Sequence, residues 1–145
     1  MIRPRRQKRE RMGVREAPQF RCPGHLQWIR GCKCALEGRA GHVCAGPVEA
    51  AHVRTGTDGA MGVKPSDYWA VPFCRDGAHA PQHSVGEAAF ERANKIDMKS
   101  LARQYAAISP HRTKWLGEGR SPAHEGRESM RHALKERASE PEAAE

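Results

Sequence analysis

Cysteine and histidine carry most of the chemistry available to this chain, and they concentrate between residues 34 and 83. Cys34-x9-Cys44 and Cys74-x4-His79 form two pairs of metal-ligand types, separated by a stretch that reads as two short strands. Zinc takes four soft or borderline donors in a tetrahedron, commonly from two such pairs. The spacing therefore points to a structural zinc held by Cys34, Cys44, Cys74 and a fourth donor. His79 is the expected fourth ligand, with Asp76 or His83 as alternatives, and Cys32 stands close enough to Cys34 to replace it. Buried thiols also serve as small hydrophobes, and Cys22, outside any pairing, fits that description.

A second group suggests hydrolysis. His52 ends Glu49-Ala50-Ala51-His52, Asp67 precedes the next apolar run, and His79 and His83 lie four residues apart. On a helix, positions i and i+4 present both imidazoles on one face, as two ligands of one ion require. Neutral His52 can take a proton from water near physiological pH. A divalent ion, Mg²⁺ or another, held by His83 with Asp67 and His79 would stabilise a pentacovalent phosphate and the departing 3′-oxygen. Arg54, Lys64 and Arg75 are candidate phosphate ligands, the arginines through a planar guanidinium fork. The expected catalytic residues are thus His52, Asp67 and His83, and the expected metal ligands Cys34, Cys44, Cys74, His79 and His83.

The elements that must position these groups are short. Pro23 to Arg30 reads as a helix with proline in its first turn and Leu26 and Ile29 on one face. Val48–Val53 and Tyr68–Phe73 read as strands, separated by the loop signals Thr55–Gly59 and Lys64–Asp67. After Cys74 the pattern turns helical through Ala88, Ala89 and Phe90. Asp97 is placed to cap a further helix with Leu101, Tyr105 and Ile108 on one side. Two strands alone are not stable in water, so a metal joining the loop before the first to the turn after the second would close the unit.

Bulk composition agrees with a small metal-held domain. Only 38% of the 145 residues are hydrophobic and 6% aromatic, with a mean hydropathy of -0.79. A chain this polar buries little apolar surface and commonly needs metal or disulfides. Its five cysteines are an odd number, which argues against a complete disulfide framework. No stretch is apolar for long enough to span a bilayer, and no apolar segment follows the basic N-terminus as a secretory signal would require. A cytoplasmic protein without a membrane partner is the expectation. Lysine and arginine total 25 against 17 acidic residues, a net charge of +8. That excess suits a polyanion such as DNA, whose condensed counterions are released when phosphates are neutralised. Residues 1–19 read as a flexible basic arm, 20–116 as the zinc-containing domain, and 117–145 as a charged, mostly disordered tail with a frayed helix near Ser129–Ala138.

These pieces together resemble a known family. Pro23 to His83 is similar to the HNH nucleases of phages and prophages, in the His-Me finger superfamily. The likeness runs through His25-Leu26-Gln27-Trp28-Ile29-Arg30, Cys34, Glu49-Ala50-Ala51-His52-Val53-Arg54 and Met61-Gly62-Val63-Lys64-Pro65-Ser66-Asp67. It continues in Val71-Pro72-Phe73-Cys74-Arg75, His79, Gln82-His83, Gly86 and Glu87-Ala88-Ala89-Phe90. About half the chain is covered. The resemblance implies an α+β fold with a small ββα-metal core and flanking short helices, a cysteine-bound structural zinc, and one catalytic divalent ion. It implies His52 as general base, Asp67 as the polar group of the second strand, and His79 and His83 as helix ligands. The activity implied is metal-dependent DNA endonuclease, with phage recombination, repair or packaging proteins as partners. The chain departs from the pattern at Ala51, where many members carry Asp or His, and at Asp67, where Asn is usual. The turn after Cys74 is about one residue longer. The rival class is a non-catalytic zinc module that binds nucleic acid or a phage protein. A regulator acting on RNA through the basic arm ranks last, because few aromatic residues could stack on bases.

Overall fold

The computed structural model describes residues 19–122. Most of the basic arm and the helix expected near Ser129–Ala138 lie outside the described residues. In chain order the elements are α1 (Pro23–Gly31), β1 (Val48–His52) and a 3₁₀ turn (Asp67–Trp69), then β2 (Ala70–Cys74) and a π-turn (Arg75–His79). They end with α2 (Ala80–Val85), α3 (Glu87–Asn94), α4 (Met98–Ile108) and α5 (Arg112–Gly117). The domain is thus mixed helix and two-strand sheet, as its pattern of short elements suggests.

β1 and β2 pair antiparallel with Val48 opposite Cys74 and His52 opposite Ala70. Every residue of β2 is buried, because α1 and α4 pack against it. Pro72 lacks an N–H, yet its carbonyl accepts the Ala35 N–H at 2.8 Å, tying the cysteine loop to β2. The second strand begins two residues later than its apolar pattern predicts, at Ala70 rather than Tyr68. The segment before α1 provides the reason. The Asp67 N–H donates to the Phe20 carbonyl at 2.9 Å, and its carboxylate accepts the Cys22 N–H at 2.7 Å. Held on both sides, residues 67–69 curl into a 3₁₀ turn instead of extending the ladder.

Two helix faces differ from expectation. In α1 the fully buried pair is His25 and Ile29, four residues apart, rather than Leu26 and Ile29. In α4, Asp97 caps the helix by accepting the Ser100 N–H at 2.9 Å, as its position suggested. However, Met98, Ala102 and Ala106 face the core, and Ile108 is 65% exposed. Leu101 and Tyr105 are partly buried at the core's edge, and Trp69 and Trp115 are buried. Small alanines let α4 approach β2 and the 3₁₀ turn closely.

The core is one cluster of mixed aliphatic and aromatic side chains. Phe73 meets Phe90 edge-on at 5.5 Å, which seats α3 on the sheet. Trp115 of α5 lies 5.8 Å from Tyr68 and 5.1 Å from the His25 ring. His25 is wholly buried; its Nδ1 lies 2.9 Å from Ser109 Oγ, while Nε2 has no partner. Burial, then the nearby His111, lower its pKa to about 4. The unfolded chain therefore binds a proton there that the folded one refuses, so this contribution is complete above pH 6.5 and is lost between 6.5 and about 4. Thermal melts are expected to fall over that interval, and His25→Gln should reduce the pH dependence. A wild-type melting temperature constant from pH 7 to 4 would contradict this.

Candidate functional site

Two polar clusters sit on the sheet, one at each end of the β-pair. At the Cys74 end, Cys34, His42, Cys44 and Cys74 place their ligand atoms within 4.8 Å of one another. His42 Nε2 stands 3.8 Å from Cys34 Sγ, 3.3 Å from Cys44 Sγ and 3.6 Å from Cys74 Sγ. Tetrahedral zinc, with bonds near 2.3 Å to sulfur and 2.0–2.1 Å to nitrogen, separates the two donor types by about 3.5 Å. The group can hold a metal ion such as zinc.

Local backbone geometry builds this group. Successive turns carry the chain from Cys34 to His42, with Glu37 N–H on the Cys34 carbonyl, Arg39 N–H on Leu36 and His42 N–H on Arg39. Leu36, fully buried, anchors the loop from beneath. On the other side, Arg75 N–H donates to Pro47 and Asp76 N–H to Ala45. A Cβ at Gly77 would lie 2.5 Å from the Val43 carbonyl oxygen and 2.8 Å from Cys74 Sγ. Only glycine lets the π-turn close this tightly over the sulfur. Burial pushes the Cys74 thiol up, but the Ala45 and Gly77 N–H groups and the adjoining thiols outweigh it, and the net shift is downward. N–H groups aimed at a sulfur favour the thiolate that metal binding requires.

The fourth member is His42, where the spacing had suggested His79. Neither Asp76 nor His83 belongs to the group. Cys32 does not replace Cys34, since its Sγ approaches the Trp28 carbonyl at 3.4 Å. His79 is held away by Glu49, whose Oε2 lies 2.6 Å from His79 Nδ1. The signal for His42 was present in the sequence, as it is the one histidine between Cys34 and Cys44. Pairing ligands by their gaps overlooked it.

At the opposite end, His52 Nε2 meets Asp67 Oδ1 at 3.0 Å, with side-chain exposures of 10% and 3%. Oδ1 also accepts from Arg21 Nη1 at 3.3 Å, and Oδ2 takes the Cys22 N–H. Arg21 is itself fixed by the Pro65 and Lys64 carbonyls, at 2.6 and 2.9 Å. Burial would raise the Asp67 pKa, but the His52 hydrogen bond, the Cys22 N–H and Arg21 outweigh it, and the carboxyl is lowered. Both of its oxygens are engaged by protein donors. This carboxylate orients an imidazole, a different role from the metal ligation its sequence position suggested.

His79 and His83 bring their Nε2 atoms within 3.0 Å of each other. They share a cavity of about 350 Å³ with His52, Arg54 and Lys64. The geometry thus brings together five of the sequence-derived site residues. Arg75 is not among them: its Nε and Nη2 engage Asp76 at 3.1 and 3.3 Å. Comparison with family models, curated proteins and solved structures finds no match to this chain. The chemistry must therefore be argued from its own residues. Arg21 and Glu49 enter as supporting groups that no spacing rule marks, because each acts through a contact between distant segments.

Metal content separates the two clusters. The protein should retain one tightly held ion through gel filtration; Cys74→Ser should lose it and melt at least 10 °C lower, and His42→Ala should bind it far more weakly. His79→Ala should keep it. Retention in His42→Ala together with loss in His79→Ala would reverse the assignment.

Proposed function

We propose that this protein is a metal-dependent DNA endonuclease of the HNH type, with β1, β2 and α2 as a ββα-metal core and a structural zinc in the Cys34–His42–Cys44–Cys74 group. The observation that carries this reading is His52, held by buried Asp67 on the wall of a cavity it shares with the His79–His83 pair. A base oriented by a third group beside a site for the reacting atom is the arrangement general-base hydrolysis needs.

In this mechanism His52 gives its Nε2–H to Asp67, which leaves Nδ1 to take a proton from the attacking water. The ionised Asp67 carboxylate steadies the imidazolium that results. Arg21 and the Cys22 N–H keep that carboxylate charged and fixed, so orientation costs little when the reaction occurs. General-base catalysis of this kind contributes roughly 10²–10⁴ in rate. Arg54, which lines the same cavity, binds the scissile phosphate, and Lys64, also lining it, binds a neighbouring one.

His79 and His83 would hold the divalent ion. Glu49 at His79 Nδ1 is the outer carboxylate that commonly fixes a ligating imidazole's tautomer, leaving Nε2 to the ion. Two imidazoles with no free carboxylate suit a borderline ion such as Zn²⁺ or Ni²⁺ better than Mg²⁺. When bound, the ion supplies Lewis-acid stabilisation of the phosphate and the departing 3′-oxygen. The charge of +8 supports DNA as substrate, and the family resemblance supports phage or prophage DNA recombination, repair or packaging as the setting.

Nicking of supercoiled plasmid tests the proposal. Cutting should require added divalent ion, should be faster with transition ions than with Mg²⁺, and should fall by about 10³ in His52→Ala with the tight zinc retained. Asp67→Asn should slow cutting while leaving its dependence on added ion unchanged. No cutting, or equal cutting by wild type and His52→Ala, would favour a zinc module that only binds nucleic acid.

A further inference from the structure

A second, larger cavity also borders His52. It has a volume of about 740 Å³ and is walled by His52, Arg54, His83, Ala88, Ala89 and Arg92. That size falls within the roughly 300–1,000 Å³ of clefts that take small organic ligands. His52, Arg54 and His83 face both cavities, so the reacting centre stands between them. Lys64 lines only the smaller, and Arg92 only the larger.

The larger cavity has the chemistry of an anion site. Arg54 and Arg92 are exposed, and neither guanidinium has an ion-pair partner among the described residues. Its one acidic residue, Glu87, is occupied: Oε1 accepts the Arg54 N–H at 2.7 Å and Oε2 the Thr55 N–H at 2.9 Å. Those bonds hold the carboxylate on the backbone N–H groups and tie the start of α3 to the residues following β1. Ala88 and Ala89, with their short side chains, also line the cavity. The buried Gln82 Oε1, also on this wall, has no hydrogen-bond partner and can accept one from a bound group or an ordered water.

We propose that the DNA strand crosses His52 from the 62–64 loop to α3, with Lys64 holding a phosphate on one side of the scissile bond and Arg92 holding one on the other. The inference rests on the nuclease reading and assigns Arg92 a role in substrate binding. Arg92 grips the backbone without reading sequence, because a guanidinium on phosphate carries no base information.

The test measures binding of a fluorescent duplex by the full-length protein across a salt series, without added catalytic ion, and then cleavage with it. Arg92→Ala should weaken binding several-fold and lower the slope of log K against log salt by about one. Its KM should rise more than its kcat falls, and Arg92→Lys should recover most of the loss. Arg30→Ala, on the exposed side of α1, is the control and should match wild type. A salt slope in Arg92→Ala equal to wild type would overturn the proposal, even if plasmid is cut. An altered slope in a protein that does not cut would sustain the phosphate site while removing the nuclease reading.

Discussion

Three sulfurs and one imidazole meeting at the end of β2 are the constraint on which the rest of this domain rests. The sheet has only two strands among the described residues, and a two-stranded hairpin is marginal in water. The loop carrying Cys34, His42 and Cys44 contains little that could order it by burial, apart from Leu36. Fixing roughly ten loop residues costs on the order of 10–20 kcal/mol in backbone entropy. A zinc in a site of this kind contributes about 10–16 kcal/mol, which is comparable. With the metal in place the loop becomes a wall against β2, bonded through Ala35 and Pro72. Without it β2 would keep the cover of α1 and α4 but lose the ordered loop beside it.

The second dependency runs through Asp67. Its carboxylate joins three parts of the chain: the segment before α1, the loop entering β2, and the end of β1. A buried carboxylate is tolerable only when charged donors and N–H groups surround it. Here the same donors that make its burial possible also fix the direction of His52. Folding and the proposed catalysis thus draw on one set of hydrogen bonds. Glu49 does the comparable work for His79 from β1. Glu49 lies on β1 and Asp67 in the turn that enters β2, so the supporting carboxylates of the proposed ion and base both come from the hairpin.

Much of this was legible in residue types. Cys34, Cys44 and Cys74 stand out because thiols in a polar chain require an explanation, and His52 and His83 because Asp67 and His79 accompany them. Both strands, the α1 start and the Asp97 cap follow from local pattern. What escaped detection was set by contacts between distant segments. His42 joins the metal group because a run of tight turns folds the loop back, and His79 leaves it because Glu49 draws its ring elsewhere. Asp67 looked like a metal ligand until Arg21 and Cys22, 46 and 45 residues earlier, were found on its oxygens. Leu26 looked like the core partner of Ile29, but His25, packed on Trp115, takes that place.

The fourth ligand of the metal group is the point at which sequence spacing and folded geometry differ most sharply, and the domain's closure depends on it. X-ray absorption at the zinc edge, on full-length protein carrying one equivalent of zinc, tests it most directly. A shell of three sulfurs near 2.3 Å and one imidazole nitrogen near 2.0 Å is expected, unchanged in His79→Ala and altered in His42→Ala. A four-sulfur shell, or one that changes with His79 and not with His42, would contradict the account.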